Sequence, residues 1–262
     1  MGLVNTSRSS DSPWISSVWT GHSTQVSQMT SVASETWGLV FWESRGTPFA
    51  AVVGPEDRTV SAPVPQEARF VGVQFAVGTV LRAAPTSTLL NSGIELPDTT
   101  SGRFWLDGGR WHTPRVDDDA EALVARLVRA GVLVRDPLVQ ATLDGSPVAT
   151  ASRTVERRFR AATGLTRGTV AQIGRVRAAA ELLSAGVQVS TVVHRLGYYD
   201  EPHLARALRR YVGRTAGQLR SGAGGAIALP APADDAALTA LADDVVDGLE
   251  HAVAVGSGVA QR

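Results

Sequence analysis

The sequence of 262 residues contains no cysteine, which excludes disulfides, thiolate metal ligands and a cysteine nucleophile in one observation. All 25 basic residues are arginine and none is lysine, a bias that carries little functional weight. No apolar run approaches the roughly 18 residues needed to cross a bilayer. The first twelve residues lack the apolar stretch of a signal peptide, so a cytoplasmic protein with no membrane partner is expected. His22, His112, His194, His203 and His251 are scattered, without metal-ligand spacing and without a His-x-His pair. Gly222-Ala-Gly-Gly225 follows a helical pattern and lacks a lysine, so it reads as a linker rather than a phosphate loop. Gly-x-Ser-x-Gly is absent, and no acid pair stands out from solvated charge. No enzyme, metal or cofactor is expected. What remains, 44% hydrophobic with mean hydropathy +0.02, fits a soluble globular chain of two modest domains.

The net charge of zero conceals a segregation. Residues 1–149 hold 11 Arg against 15 acids, a balance of −4. Residues 150–221 hold 13 Arg against Glu156, Glu181, Asp200 and Glu201, a balance of +9. Residues 222–262 hold Arg262 against six acids, a balance of −5. A basic stretch of this density is the footprint of a phosphate-backbone binder.

Along the chain, residues 1–12 are rich in Ser and Asn and read as disordered. From Trp14 to about Arg115, short apolar runs (Gly38–Trp42, Phe49–Val53, Phe70–Phe75, Arg103–Leu106) alternate with turn residues, predicting a small β-rich domain. All six tryptophans (14, 19, 37, 42, 105 and 111) fall in it, which makes its core or a pocket aromatic, core being the commoner use. Asp117 to Asp119 then precede Ala120, Leu123, Val124, Leu127 and Val128, whose spacing marks a helix ending near Gly131 and joining two domains. The expected boundaries are a disordered 1–12, a β-rich sensor-like domain 13–115, a linker helix over 116–136, an all-α domain 137–221, and a flexible acidic tail 222–262 with a weak helix from Asp235 to Ala252. The fold class is therefore α+β multidomain.

Winding residues 152–164 at 3.6 residues per turn places Val155, Phe159 and Ala162 on one face and Arg153, Glu156, Arg157 and Arg160 on the other, with Ser152 and Gly164 as caps. Such a stripe suits the major groove, where arginine pairs with guanine and glutamate accepts from cytosine. A second unit follows. Ser190 caps a short helix with Val192, Val193 and Leu196, Gly197 turns, and Asp200 caps a helix from Glu201 to about Val212. That last helix has a core stripe of Leu204, Ala207, Leu208 and Tyr211, with Ala205, Arg206 and Arg209 outward and His203 and Arg210 flanking. Pro202 is tolerated in its first turn. Helix, glycine turn and arginine-faced helix make the helix-turn-helix plan.

The run GYYDEPHLARALRRYVG from Gly197 to Gly213 resembles the signature of AraC/XylS-family transcription regulators. RRFRAATG from Arg157 to Gly164, with Arg175-Val176, Ala179 and Leu182-Leu183, is similar to that family's first recognition helix and linker helix. The resemblance implies a DNA-binding regulator whose two recognition helices enter successive major grooves. It puts Arg153, Glu156 and Arg157 at base edges in the first helix and Glu201, His203 and Arg206 in the second. Ser152, Thr154, Arg160, Arg167, Ser190, Asp200, Arg209 and Arg210 complete the candidate DNA-binding set. Only one short helix, Leu138 to Leu143, fits ahead of the first recognition helix where the family has two, so the first unit looks truncated. Val193, Leu208 and Ala216 stand where alanine, phenylalanine and proline are usual. Val52-Val53-Gly54-Pro55 with Val71-Gly72-Val73-Gln74-Phe75 resembles the β-rich sensor domain ahead of some such regulators, which implies a small-molecule effector or a homodimer contact. RNA polymerase is the further partner implied. The alternative is a small-molecule-binding or enzymatic β domain whose helices form a protein-interaction module.

Overall fold

A computed structural model describes residues 4–24, 27–114 and 119–223. Asp117 and Asp118 of the acidic cap and the tail from 224 onward lie outside these residues. The N-terminal region is a strand-rich sheet and the C-terminal region is helical, the expected α+β layout.

Strands β1 (Val4–Arg8), β2 (Ile15–His22), β4 (Gly38–Ser44), β5 (Thr47–Val53), β7 (Ala68–Phe75) and β9 (Gly93–Glu95) form one antiparallel sheet in the order β1-β2-β7-β4-β5-β9. Three two-stranded ladders flank it: β3 (Ser27–Thr30) with β6 (Ser61–Val64), β8 (Thr79–Leu81) with β12 (Leu133–Arg135), and β10 (Arg103–Leu106) with β11 (Gly109–His112). Alternation decides the faces. Val18, Leu39, Phe41, Val73 and Phe75 point into a core closed by Phe104 and by Leu123, Val124 and Leu127 of helix α1 (Ala120–Arg129). On the other face Trp42 stacks on Phe49 at 5.1 Å and Trp19 lies over Phe70 at 6.4 Å. The tryptophans thus divide. Trp37 is core, its indole N–H donating to the Thr79 carbonyl at 2.6 Å; Trp14, Trp19, Trp42 and Trp111 are half-buried, and Trp105 is exposed. Two glycines of the apolar motifs serve close approach, since a Cβ on Gly72 would stand 2.0 Å from the Trp19 ring and one on Gly54 1.8 Å from the Leu89 carbonyl oxygen.

Two stretches differ from the sequence expectation. Residues expected to be disordered form β1, because the backbone pairs with β2 and Arg8 makes a bidentate pair with Glu121 of α1 at 2.7 and 2.9 Å. Arg8, outweighing partial burial and helped by Ser10, holds the Glu121 carboxyl down to about 2. The segment expected to join the regions is built into the first of them: α1 fills the β core and β12 completes a ladder with β8. Asp119 stands at the N-cap of α1 without a side-chain cap bond.

Among the described residues six helices follow: α2 (Pro137–Leu143), α3 (Ser152–Thr163), α4 (Arg167–Ser184), α5 (Val189–Arg195), α6 (Glu201–Tyr211) and α7 (Ala216–Ser221). Phe159, Ile173, Leu183, Leu204 and Leu208 make their common core, which also takes in Ala33 from the β region. Asp136 caps α2 through the Leu138 N–H at 2.9 Å, Thr166 caps α4 through the Thr169 N–H at 3.1 Å, and Thr215 forms a capping box with Gln218 on α7. The two serine caps are not made. Ala151 occupies the N-cap of α3 and Gln188 that of α5. Ser152 and Ser190 are already inside the first turn, where their hydroxyls no longer face the free amides.

Candidate nucleic-acid interface

On α3, Val155, Phe159 and Ala162 are buried and Arg153, Arg157 and Arg160 are exposed, the division that the 3.6-residue period demands. Ser152 is exposed beside them and Thr154 is half-buried. Glu156 and Arg167 turn partly to each other, with Arg167 Nε 3.3 Å from Glu156 Oε2, so this acid and this base have a partner within the protein. Arg158 donates twice to Asp136, at 2.9 and 2.7 Å, and pins α3 to the start of α2.

On α6, Leu204, Leu208 and Tyr211 are buried, and Glu201, Arg206 and Arg209 are exposed. Asp200 is a true cap, accepting from the His203 N–H at 2.6 Å. His203 is half-buried. Its Nδ1 accepts from the Tyr199 N–H at 3.4 Å, and its ring meets Tyr198 edge-on with centroids 5.3 Å apart. Arg210 lies over the Tyr211 ring and 3.8 Å from Asp57 of the β region. Ser190 is exposed on α5. Arg153, Arg157, Arg160, Arg206 and Arg209 make no ion pair among the described residues, so each guanidinium keeps its donors for an outside acceptor. Beside this set stands Tyr199, 90% exposed in the turn ahead of the α6 cap. Sequence reasoning passed over it as part of the signature, although an aromatic directly before an N-cap has no local core to enter.

The family model that matches the chain is described as a helix-turn-helix domain and covers residues 147–222, from just before α3 to just after α7. This segment is similar to an AraC-type helix-turn-helix domain. Such a domain supports DNA-binding transcription regulation, and the match is to a regulator family rather than an enzyme family. No curated protein and no solved structure matches the chain.

The matched segment does not stand by itself. Helices end with unsatisfied carbonyls, and at the end of α6 two of them are taken by the β region: the Ala33 N–H donates to the Tyr211 carbonyl at 2.8 Å and the Thr59 N–H to the Arg210 carbonyl at 3.0 Å. The end of α3 abuts the same region, Gly164 packing against Pro55 and against the 3-10 turn Thr86–Leu89. Between them, Arg177 of α4 pairs bidentately with Glu35 at 2.9 and 2.5 Å, side chains 3% and 1% exposed. Burial works against the Arg177 charge, but Glu35, with Glu181 nearby, outweighs it and holds the guanidinium above its ordinary pKa. No sequence signal marked Ala33, Glu35, Asp57 or Thr59. Their partners are more than 140 residues away.

Among the described residues, no cluster of His, Asp or Glu is placed to hold a metal ion, and no helix is long and apolar enough to cross a membrane.

Proposed function

We propose that the chain is a sequence-specific, cytoplasmic transcription regulator that reads DNA with α3 and α6 in successive major grooves. Arg153, Glu156 and Arg157 are assigned to base edges in the first half-site, and Glu201, His203 and Arg206 in the second. Arg160, Arg167, Arg209 and Arg210, with the polar groups Ser152, Thr154, Ser190 and Asp200, complete the contact set and fix register on the backbone. The observation that carries this reading is the pair of recognition helices in one domain, each with a buried apolar stripe and exposed arginines without intramolecular ion pairs. Glu156 and Arg167 exchange their mutual contact for DNA, and Arg210 exchanges Asp57.

The division of labour is a β-rich region 13–115 that senses an effector or a second copy of the chain, a connecting segment 116–136, and a DNA-binding region 137–221 that recruits or excludes RNA polymerase. The support for modulation is physical: Glu35, Ala33 and Thr59 tie the β region to the helix joining the two recognition helices and to the end of one of them. A ligand that shifts the loops carrying these residues shifts the presentation of both helices. Fluorescence titration of the full chain with mixed-sequence duplex tests the reading. Binding that weakens steeply with salt is expected. Binding that is absent, or indifferent to salt, contradicts it.

A further inference from the structure

An apolar groove of about 410 Å³ runs along α6, between it and the starts of α5 and α7. Val189, Pro202, Leu204, Leu208 and Ala216 line it, and Glu201 and Arg209 stand at its rim. Leu208 and Ala216 are two of the positions where the chain departs from the signature it resembles. The groove therefore sits on the helix that carries the second arginine face, and α7 forms one wall.

The chain itself supplies a segment of matching chemistry. Directly after α7 comes the acidic C-terminal stretch, −5 against +9 for residues 150–221. Within it Leu238, Leu241, Val245, Leu249 and Ala252 recur at three- and four-residue steps, while Asp243, Asp247 and Glu250 fall on the opposite side of the same helical wheel and Asp244 on its flank. Sixteen residues lie between Ser221 and Leu238, many of them Gly, Ala and Pro, and a random-coil chain of that length spans roughly 20–25 Å on average. The groove begins at the first turn of α7, about 8 Å back along that helix from its end. The span is well within reach.

We propose that residues 235–252 dock their apolar stripe in the groove between α6 and α7, setting their acidic face beside Arg206 and Arg209, so that DNA must displace the tail to reach the second recognition helix. This rests on the DNA-binding reading of α6. A tethered segment acts at an effective concentration in the millimolar range, so weak docking suffices. Charge attracts the tail to the basic region, and the apolar stripe fixes where it settles. Glu201 at the rim and Asp200 behind it disfavour an acidic face at the start of α6, which places the acids toward the arginine end.

The test uses the full chain, a chain ending at Ala223, and the full chain with Leu241→Ser and Val245→Ser, which keeps every tail charge. Hydrogen exchange, measured without DNA, is expected to show amides of α6 and α7 more protected in the full chain than in the other two. Mixed-sequence duplex at low salt is expected to bind the truncated and serine-substituted chains three- to tenfold more tightly than the full chain. Equal protection in all three overturns the docking. So does a gain on truncation that the serine substitutions do not reproduce, since the tail then acts by charge alone. If no form binds DNA while the protection pattern holds, the docking stands and the regulator reading falls.

Discussion

The two helices proposed to read DNA, α3 and α6, present the same outward chemistry on different supports. Five residues, 196–200, connect α5 to α6, with Gly197 in the turn and Asp200 capping the helix it precedes. Eight residues, 144–151, connect α2 to α3, and the N-cap of α3 is an alanine without an acceptor. At their other ends the contrast continues: α6 has its last carbonyls taken by two β-region amides, whereas α3 rests against Pro55 and a 3-10 turn through packing. The second unit is organised by its own sequence and then clamped. The first depends on neighbours, on Asp136 through Arg158 and on the loops of the β region. The first unit is thus held by a surface its own segment does not encode.

If that contrast is right, the largest effect comes from the element both units share. Glu35→Ala leaves Arg177 buried without its counter-charge and should cost about 3–5 kcal/mol in denaturant unfolding, loosening both units together through α4. A loss confined to the β region would separate the two regions energetically and break the account of the clamp.

Next in size are the two readers. Arg157→Ala and Arg206→Ala should each cost about 1–3 kcal/mol in affinity and relax preference at one base position. Uniform losses on every sequence would move either residue to the phosphate backbone.

The caps sharpen the comparison further. Asp200→Ala removes a real cap and should cost about 1 kcal/mol of stability, while Ser152→Ala, which removes none, should change thermal stability by only a few tenths. Equal effects would erase the difference between the two helix starts.

The smallest effect is expected at Tyr198, whose buried hydroxyl has no hydrogen-bond partner among the described residues. Tyr198→Phe should be neutral or stabilise by about 1 kcal/mol. Burial, against the opposing pull of Arg175, pushes the Tyr198 phenol up to about 12. Its contribution to stability is therefore complete below the ordinary tyrosine pKa near 10 and lost as pH rises toward 12. The phenylalanine variant should lack that alkaline loss.

What the sequence made legible follows from periodicity. The buried stripes of α3 and α6 and the arginine faces opposite them are local patterns, and the structure places them as the 3.6-residue period requires. So is the single helix ahead of α3, since counting residues between Asp136 and Ser152 leaves room for one. The serine caps failed because a cap depends on one residue of register. β1 was invisible because a Ser- and Asn-rich strand is chosen by its partner β2 and by the Arg8–Glu121 pair, not by its own composition. The Glu35–Arg177 pair joins residues 142 apart in the chain, and neither residue is distinctive where it stands. Local chemistry marked the arginine faces proposed to read DNA, and long-range contacts decide how they are held.

The central claim is that both helices read DNA, one groove apart. Selection of preferred duplexes by the full chain, followed by hydroxyl-radical footprinting, tests it most directly. The account predicts two protected patches on one face of the duplex, about 10–10.5 base pairs apart, with Arg157→Ala erasing sequence preference in one and Arg206→Ala in the other. A single patch, or both substitutions weakening the same one, would contradict it.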